Sequence, residues 1–99
     1  MITREQHLLI KLSEECSEVG KEVSKALLFG LDDKEPNQDL TNREKIIAEF
    51  NDLFAVMSML KDDGVFDESK LLTADSLIAK REKVEKWIKY SQSVEITSL

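Results

Sequence analysis

The sequence predicts an all-α protein in which three main helices form an antiparallel bundle. Three observations lead to this prediction. Glycine occurs only three times and proline once, so the chain has few residues that interrupt helices. Apolar residues recur at spacings of three and four, which is the period of an amphipathic helix rather than of a strand. Turn-forming residues are concentrated in two segments, 29–41 and 62–67, and divide the chain into three helical stretches.

The first helix is expected over residues 3 to 29. Its apolar positions form one stripe along the helix, and Gly30 is well placed to end it. The stripe comprises Leu8, Leu12, Cys16, Val19, Val23, Ala26 and Leu27.

The second helix is expected over residues 42 to 62. Thr41 or Asn42 can cap its first turn, with Glu44 reaching back to the cap, and Gly64 ends it. Its stripe comprises Ile46, Phe50, Leu53, Met57 and Leu60.

The third helix is expected over residues 67 to 91, with Asp67 as its N-cap. The polar stretch 73–76 is a weak spot where this helix is expected to kink or restart, because Ser, Thr and Asp side chains compete for backbone hydrogen bonds. The tail 92–99 has no helical period and is expected to be flexible or to contact a partner subunit.

The composition limits the architecture and the partners. Ninety-nine residues make one domain with a small core, and helical domains of this size often complete their core by oligomerising. A net charge of −6 argues against nucleic acid or an anionic membrane as partners, because both require a basic surface. The single cysteine and the absence of a long apolar segment or signal-peptide core predict a cytoplasmic protein.

Four acidic residues stand out against the helical pattern. Glu15 and Glu18 lie about 60° apart at the border of the first apolar stripe. Glu49 and Asp52, also about 60° apart, fall inside the second stripe, with Val56 between them. Core-adjacent carboxylates repel one another and are costly to bury, so the sequence predicts a compensating cation, either a basic side chain or a metal ion.

The spacing and the residue types favour a particular kind of metal. An i, i+3 pair projects two carboxylates from one helix face, and two antiparallel helices can therefore present four carboxylates to one site. Carboxylate oxygens suit Mg²⁺ or Mn²⁺, whereas zinc prefers histidine and cysteine, of which the chain has one each. Glu-x-x-Glu alone is common on solvated helices, so it is the combination with Glu49 and Asp52 that is informative.

These residues carry a family resemblance. The segment EECSEV at 14–19, followed by EFNDL at 49–53, resembles the paired ExxE and ExxD motifs of the MazG-like, all-α NTP pyrophosphatase superfamily. The turn KALLFGL at 25–31 and the basic stretch KREKVEKW at 80–87 are similar to small, phage-type members. The resemblance covers roughly residues 8 to 90.

The resemblance implies a four-helix-bundle core completed by assembly into a dimer or tetramer. It also implies Mg²⁺-dependent hydrolysis of a nucleoside triphosphate, an NTP or a dNTP, to the monophosphate and pyrophosphate, with water attacking the α-phosphorus. Glu15, Glu18, Glu49 and Asp52 would be the metal ligands, with Mn²⁺ as an alternative ion. Glu18 or Glu15 would be the acid nearest the attacking water.

An acidic cage also needs basic side chains to bind a triphosphate. Lys11 and Lys25 share the acidic face of the first helix, and Lys83, Lys86 and Tyr90 lie close together on the third. We expect these five to bind substrate. The alternative is that the lysines of the first helix pair with nearby glutamates and that the third-helix residues form a solvated flank.

Two other functional classes fit the same sequence. One is a non-catalytic acidic helical module that binds a basic partner, and the other is a metal-stabilised structural dimer. An interaction module would place its acids on the outer helix face, so the burial of Glu49 and Asp52 helps to distinguish the classes.

Overall fold

The computed structural model describes residues 1–98, and within them the chain is helical with no β-strand, which confirms the predicted all-α class. Contacts divide the chain into two compact units, Met1–Phe66 and the residues from Asp67 onward. The first unit contains α1 (Arg4–Phe29) and α2 (Asn42–Asp62). The second contains a short 3₁₀ turn (Glu68–Lys70) and α3 (Ala74–Ser93).

The first unit is an antiparallel helical hairpin. At one end, Arg4 Nε donates to Asp63 Oδ2 at 2.7 Å and thus joins the start of α1 to the C-cap of α2. At the other end, Asn42 Nδ2 donates to the carbonyl oxygen of Gly30 at 2.9 Å. These two contacts link opposite ends of the two helices. The three-helix bundle and its completion by a second subunit stay predictions.

The N-termini of α1 and α2 use the same capping arrangement. Thr3 accepts from the backbone N–H of Gln6, and the Gln6 side chain accepts from the N–H of Thr3. Thr41 and Glu44 form the equivalent reciprocal pair on α2. Such capping boxes satisfy backbone donors that the first helical turn leaves free. Thr41 is therefore the cap of α2, and its bounds are those predicted.

The predicted start of the third helix is wrong. Asp67 caps only the 3₁₀ turn, and α3 begins at Ala74 behind a second cap, Thr73, which accepts from the N–H of Ser76. Between the two caps Leu72 has φ 51°, a left-handed conformation that interrupts a helix. The predicted weak spot is thus the point at which α3 starts.

The end of α3 also differs slightly from the prediction. The helix continues to Ser93, and the following residues turn back on it through a hydrogen bond from Ile96 N to Ser91 O at 2.9 Å. Residue 99 of the predicted tail lies outside the described residues. Within them, no helix is long and apolar enough to cross a membrane.

The chain buries little apolar surface by itself. Among residues 1–98 the buried apolar side chains are Leu8, Ala26 and Leu60. All three lie in the predicted stripes, and Leu60 is fully buried. Other stripe residues are open to solvent: Leu27 is 83% exposed and Phe50 is 54% exposed.

Candidate metal centre

The covered face of α1 is interrupted by acids. Buried or half-buried positions recur at steps of four and three, the pattern of a helix whose face meets a neighbouring helix. These positions include Leu8, Leu12, Glu15, Val19, Glu22 and Ala26. Glu22 is only 6% exposed, and Glu15 is half-buried. Two positions where an apolar residue would be expected therefore carry carboxylates.

The covered face of α2 contains one acid, near its middle. Glu49 is half-buried, between the half-buried Ile46 and Leu53. Asp52 is exposed, so the expectation that it lies within the buried stripe is wrong. It lies about 60° around the helix from Glu49, which is enough to bring it to the flank of this face.

These acids meet between the two helices. Carboxylate oxygens of Glu15, Glu49 and Asp52 all lie within 4.8 Å of one another. Carboxylate oxygens of Glu18, Glu22 and Glu49 form a second group in which the oxygens also lie within 4.8 Å of one another. Glu49 belongs to both groups. The structure thus brings together all four acids that the sequence predicted as metal ligands, together with a fifth. We call these five residues the carboxylate cluster.

The fifth member, Glu22, was missed by sequence reasoning. The ExxE motif ends at Glu18, and Glu22 follows it by one turn. The available signal was its position seven residues after Glu15, which places both on nearly the same face of α1. Its Oε2 atom is buried without a hydrogen-bond partner. Such an unsatisfied carboxylate oxygen is costly, and a bound cation would satisfy it.

The electrostatics of the cluster also favour a cation. Burial raises the pKa of Glu49, and the neighbouring charge of Asp52 raises it further, followed by the charges of Glu18, Glu15 and Glu22. The ionised form of Glu49 is therefore disfavoured in the metal-free protein. An all-oxygen donor set of this kind fits Mg²⁺ or Mn²⁺.

No protein-family model, curated protein or solved structure matches the chain. The function must therefore be inferred from the chemistry of the carboxylate cluster and from the resemblance of its motifs. The cluster lies entirely within the first unit, so its description depends on α1 and α2 alone.

The two lysines predicted on α1 have different surroundings. Lys11 is exposed and its Nζ lies 2.9 Å from Glu14 Oε2, so it forms an ion pair within the helix, as the alternative interpretation anticipated. Its partner is Glu14 at i+3 rather than the expected Glu15 at i+4. Lys25 lies beside the cluster. Its Nζ is 3.6 Å from Glu22 Oε1 and 2.7 Å from Glu35 Oε1 in the loop between α1 and α2.

The predicted substrate residues on α3 belong to the second unit. Tyr90 meets Trp87 edge-on, with ring centroids 5.7 Å apart and planes at 89°, while Lys86 Nζ lies 6.0 Å from the Trp87 ring centroid. Lys83 lines a groove with Trp87, whereas Lys86 lines a different one. The substrate-binding roles of Lys83, Lys86 and Tyr90 stay predictions.

Proposed function

We propose that this chain is a Mg²⁺-dependent nucleoside triphosphate pyrophosphohydrolase of the MazG-like type, which converts an NTP or dNTP to the monophosphate and pyrophosphate. The observation that supports the proposal is the carboxylate cluster, in which motif acids of α1 and α2 approach one another between antiparallel helices. The half-buried Glu49 and the buried Glu22 disfavour an acidic interaction surface, which would present its acids outward. The exposed Asp52 does not distinguish the two classes.

The two groups of carboxylates offer two positions for ions, joined by Glu49. Glu15, Glu49 and Asp52 would hold one, and Glu18, Glu22 and Glu49 would hold the other. When bound, Mg²⁺ or Mn²⁺ would offset the charge of the triphosphate and polarise its phosphoryl oxygens.

The remaining tasks fall to the protein's own side chains. A carboxylate oxygen of Glu18 or Glu15 accepts the proton of the water that attacks the α-phosphorus. The new P–O bond forms as the bond from the α-phosphorus to the bridging oxygen breaks, and pyrophosphate leaves. Basic residues bind the phosphates and offset their charge as pyrophosphate leaves. Of the basic residues predicted, Lys25 is the best placed because it lies beside the cluster.

Purified protein incubated with each NTP and dNTP in Mg²⁺ is expected to release pyrophosphate and the monophosphate from at least one of them. A coupled pyrophosphate assay with chromatography of the nucleotide measures both products, and EDTA should abolish the reaction. Release of inorganic phosphate instead would contradict attack at the α-phosphorus. Metal binding without any turnover would favour the metal-stabilised structural dimer. The absence of both metal binding and turnover would favour the interaction module.

We also propose that the protein forms a homo-oligomer, a dimer or a tetramer. Large apolar side chains are exposed along one side of α2, where Ile47 is 56% exposed, Phe50 54% and Phe54 47%. A hairpin that buries three apolar residues has a small core, and a second copy would cover this side and enlarge the buried apolar surface.

Light scattering after size exclusion is expected to give a mass of two or four times 11.3 kDa. Ile47→Glu should shift the protein toward the monomer, because it places a charge in the proposed contact. Lys61→Glu changes the charge near the C-terminal end of α2, where Lys61 is half-buried and lies away from Ile47, and serves as the control. A wild-type mass of 11.3 kDa would contradict the proposed assembly.

A further inference from the structure

The loop between α1 and α2 places one carboxylate between two lysines. Glu35 Oε1 lies 2.7 Å from Lys25 Nζ on α1, and Glu35 Oε2 lies 3.6 Å from Lys45 Nζ on α2. Each carboxylate oxygen therefore faces a different ammonium group. We call Lys25 and Lys45 the lysine pair.

The lysine pair is more covered than surface lysines usually are. The side chain of Lys45 is 14% exposed and that of Lys25 is 27% exposed, whereas that of Glu35 is 40% exposed. Covered side chains of this kind hold their ammonium groups near one place, where a neighbouring anion stabilises them. The pair thus forms a binding position for an anion, and the more exposed Glu35 supplies one from the loop.

This position borders the carboxylate cluster on both helices. Lys25 Nζ also lies 3.6 Å from Oε1 of Glu22. Lys45 precedes Glu49 by four residues, about one turn of α2, and both are half-buried. An anion held by the lysine pair would therefore lie next to metal ions bound by the cluster.

We propose that the lysine pair binds a phosphate group of the nucleotide and that Glu35 occupies this position until the substrate displaces it. The identity of the ligand as a nucleotide rests on the proposed function. Carboxylate and phosphate oxygens accept hydrogen bonds from ammonium groups in the same way, and a polyphosphate carries more charge than one carboxylate. Lys45 is then a substrate-binding residue, and Glu35 is an internal competitor.

The loop can release Glu35 without losing its anchors. Its first half is held by hydrogen bonds that α2 donates, from Arg43 N to Leu31 O at 2.8 Å and from Asn42 N to Asp33 O at 2.9 Å. Neither bond involves Glu35. Rotation of the Glu35 side chain into solvent would therefore open the lysine pair while the hairpin keeps its shape.

Calorimetric titration with inorganic tripolyphosphate in metal-free buffer tests the proposal. Glu35→Gln is expected to bind tripolyphosphate about ten-fold more tightly than wild type, because the competing charge is gone. Asp39→Asn removes an equal charge from the same loop and should bind like wild type. The gain should disappear in the double variant Glu35→Gln/Lys45→Gln.

Unchanged affinity in a folded Glu35→Gln protein, or a gain that persists in the double variant, would overturn the proposal. If Glu35→Gln fails to fold, amide NMR of the wild type decides: tripolyphosphate should shift the Glu35 signal more than that of Asp39, and equal shifts would overturn it. Tripolyphosphate binding requires no turnover. If the Glu35→Gln variant shows the ten-fold gain but the protein hydrolyses no NTP, the anion-binding role of the lysine pair would be supported and the proposed function would be contradicted.

Discussion

Glu49→Gln is expected to lower nucleotide turnover by at least about a hundred-fold, the loss typical when a group that stabilises developing charge is removed. Glu49 is the one residue shared by both groups of the carboxylate cluster, so both ion positions lose a charged ligand. The amide has nearly the same size, and helicity should be unchanged. Initial rates of pyrophosphate release at saturating Mg²⁺, with circular dichroism of the same samples, measure the effect.

The same variant is expected to be more stable than wild type when metal is absent. The pKa of Glu49 is raised, first by burial and then by its acidic neighbours, so at neutral pH its ionised form destabilises the folded state. A neutral amide removes this cost, and thermal denaturation in EDTA should show a higher midpoint.

Glu14→Gln is the matched control for both measurements, because Glu14 is an exposed acid on α1 that pairs with Lys11 outside the cluster. It should retain wild-type turnover and show no gain in stability. If Glu49→Gln kept its activity, the metal site would be misplaced. A lower midpoint in EDTA would show that Glu49 is not under electrostatic strain.

Mg²⁺ is expected to raise the melting temperature of the wild-type protein by about 10 °C or more. At a concentration one hundred times Kd, binding to the folded state contributes about 2.7 kcal/mol, and each kcal/mol shifts a domain of this size by about 4–8 °C. The physical reason is the relief of repulsion among five carboxylates, one of which has a buried oxygen without a partner. Scanning calorimetry across a Mg²⁺ or Mn²⁺ titration measures the shift.

Two comparisons distinguish Mg²⁺ binding at the carboxylate cluster from general screening of the carboxylate charges by salt. NaCl at equal ionic strength weakens repulsion without occupying a site, so its effect should be much smaller than that of Mg²⁺. Glu22→Gln should reduce the Mg²⁺ affinity, whereas Glu14→Gln should leave it unchanged. An equal shift with NaCl would mean that no specific site exists, and unaltered Mg²⁺ affinity in Glu22→Gln would remove Glu22 from the ligand set.

The candidate site could be predicted in part from helical spacing. Glu49 and Asp52 were identified because an i, i+3 pair shares a helix face whatever the fold around it. Glu15 and Glu18 lay only at the border of their apolar stripe, and the resemblance of their motif to the MazG-like family added them to the expected ligands. Their relative burial could not be predicted, because it depends on how α1 and α2 are rotated against each other. The structure accordingly leaves Asp52 exposed although the sequence placed it in a stripe.

The sequence by itself determined the helical class and the bounds of α1 and α2. A cap such as Thr41 acts on backbone groups within three residues, so its signal is local and can be read from the sequence. The same kind of signal gave a wrong start for the third helix at Asp67, because this residue caps only a short 3₁₀ turn. The tertiary structure alone decided that Glu22 joins the acids of α2 and that Glu35 lies between Lys25 and Lys45. Those contacts join side chains on different elements, and their distances are set by the packing of the hairpin rather than by spacing along the chain.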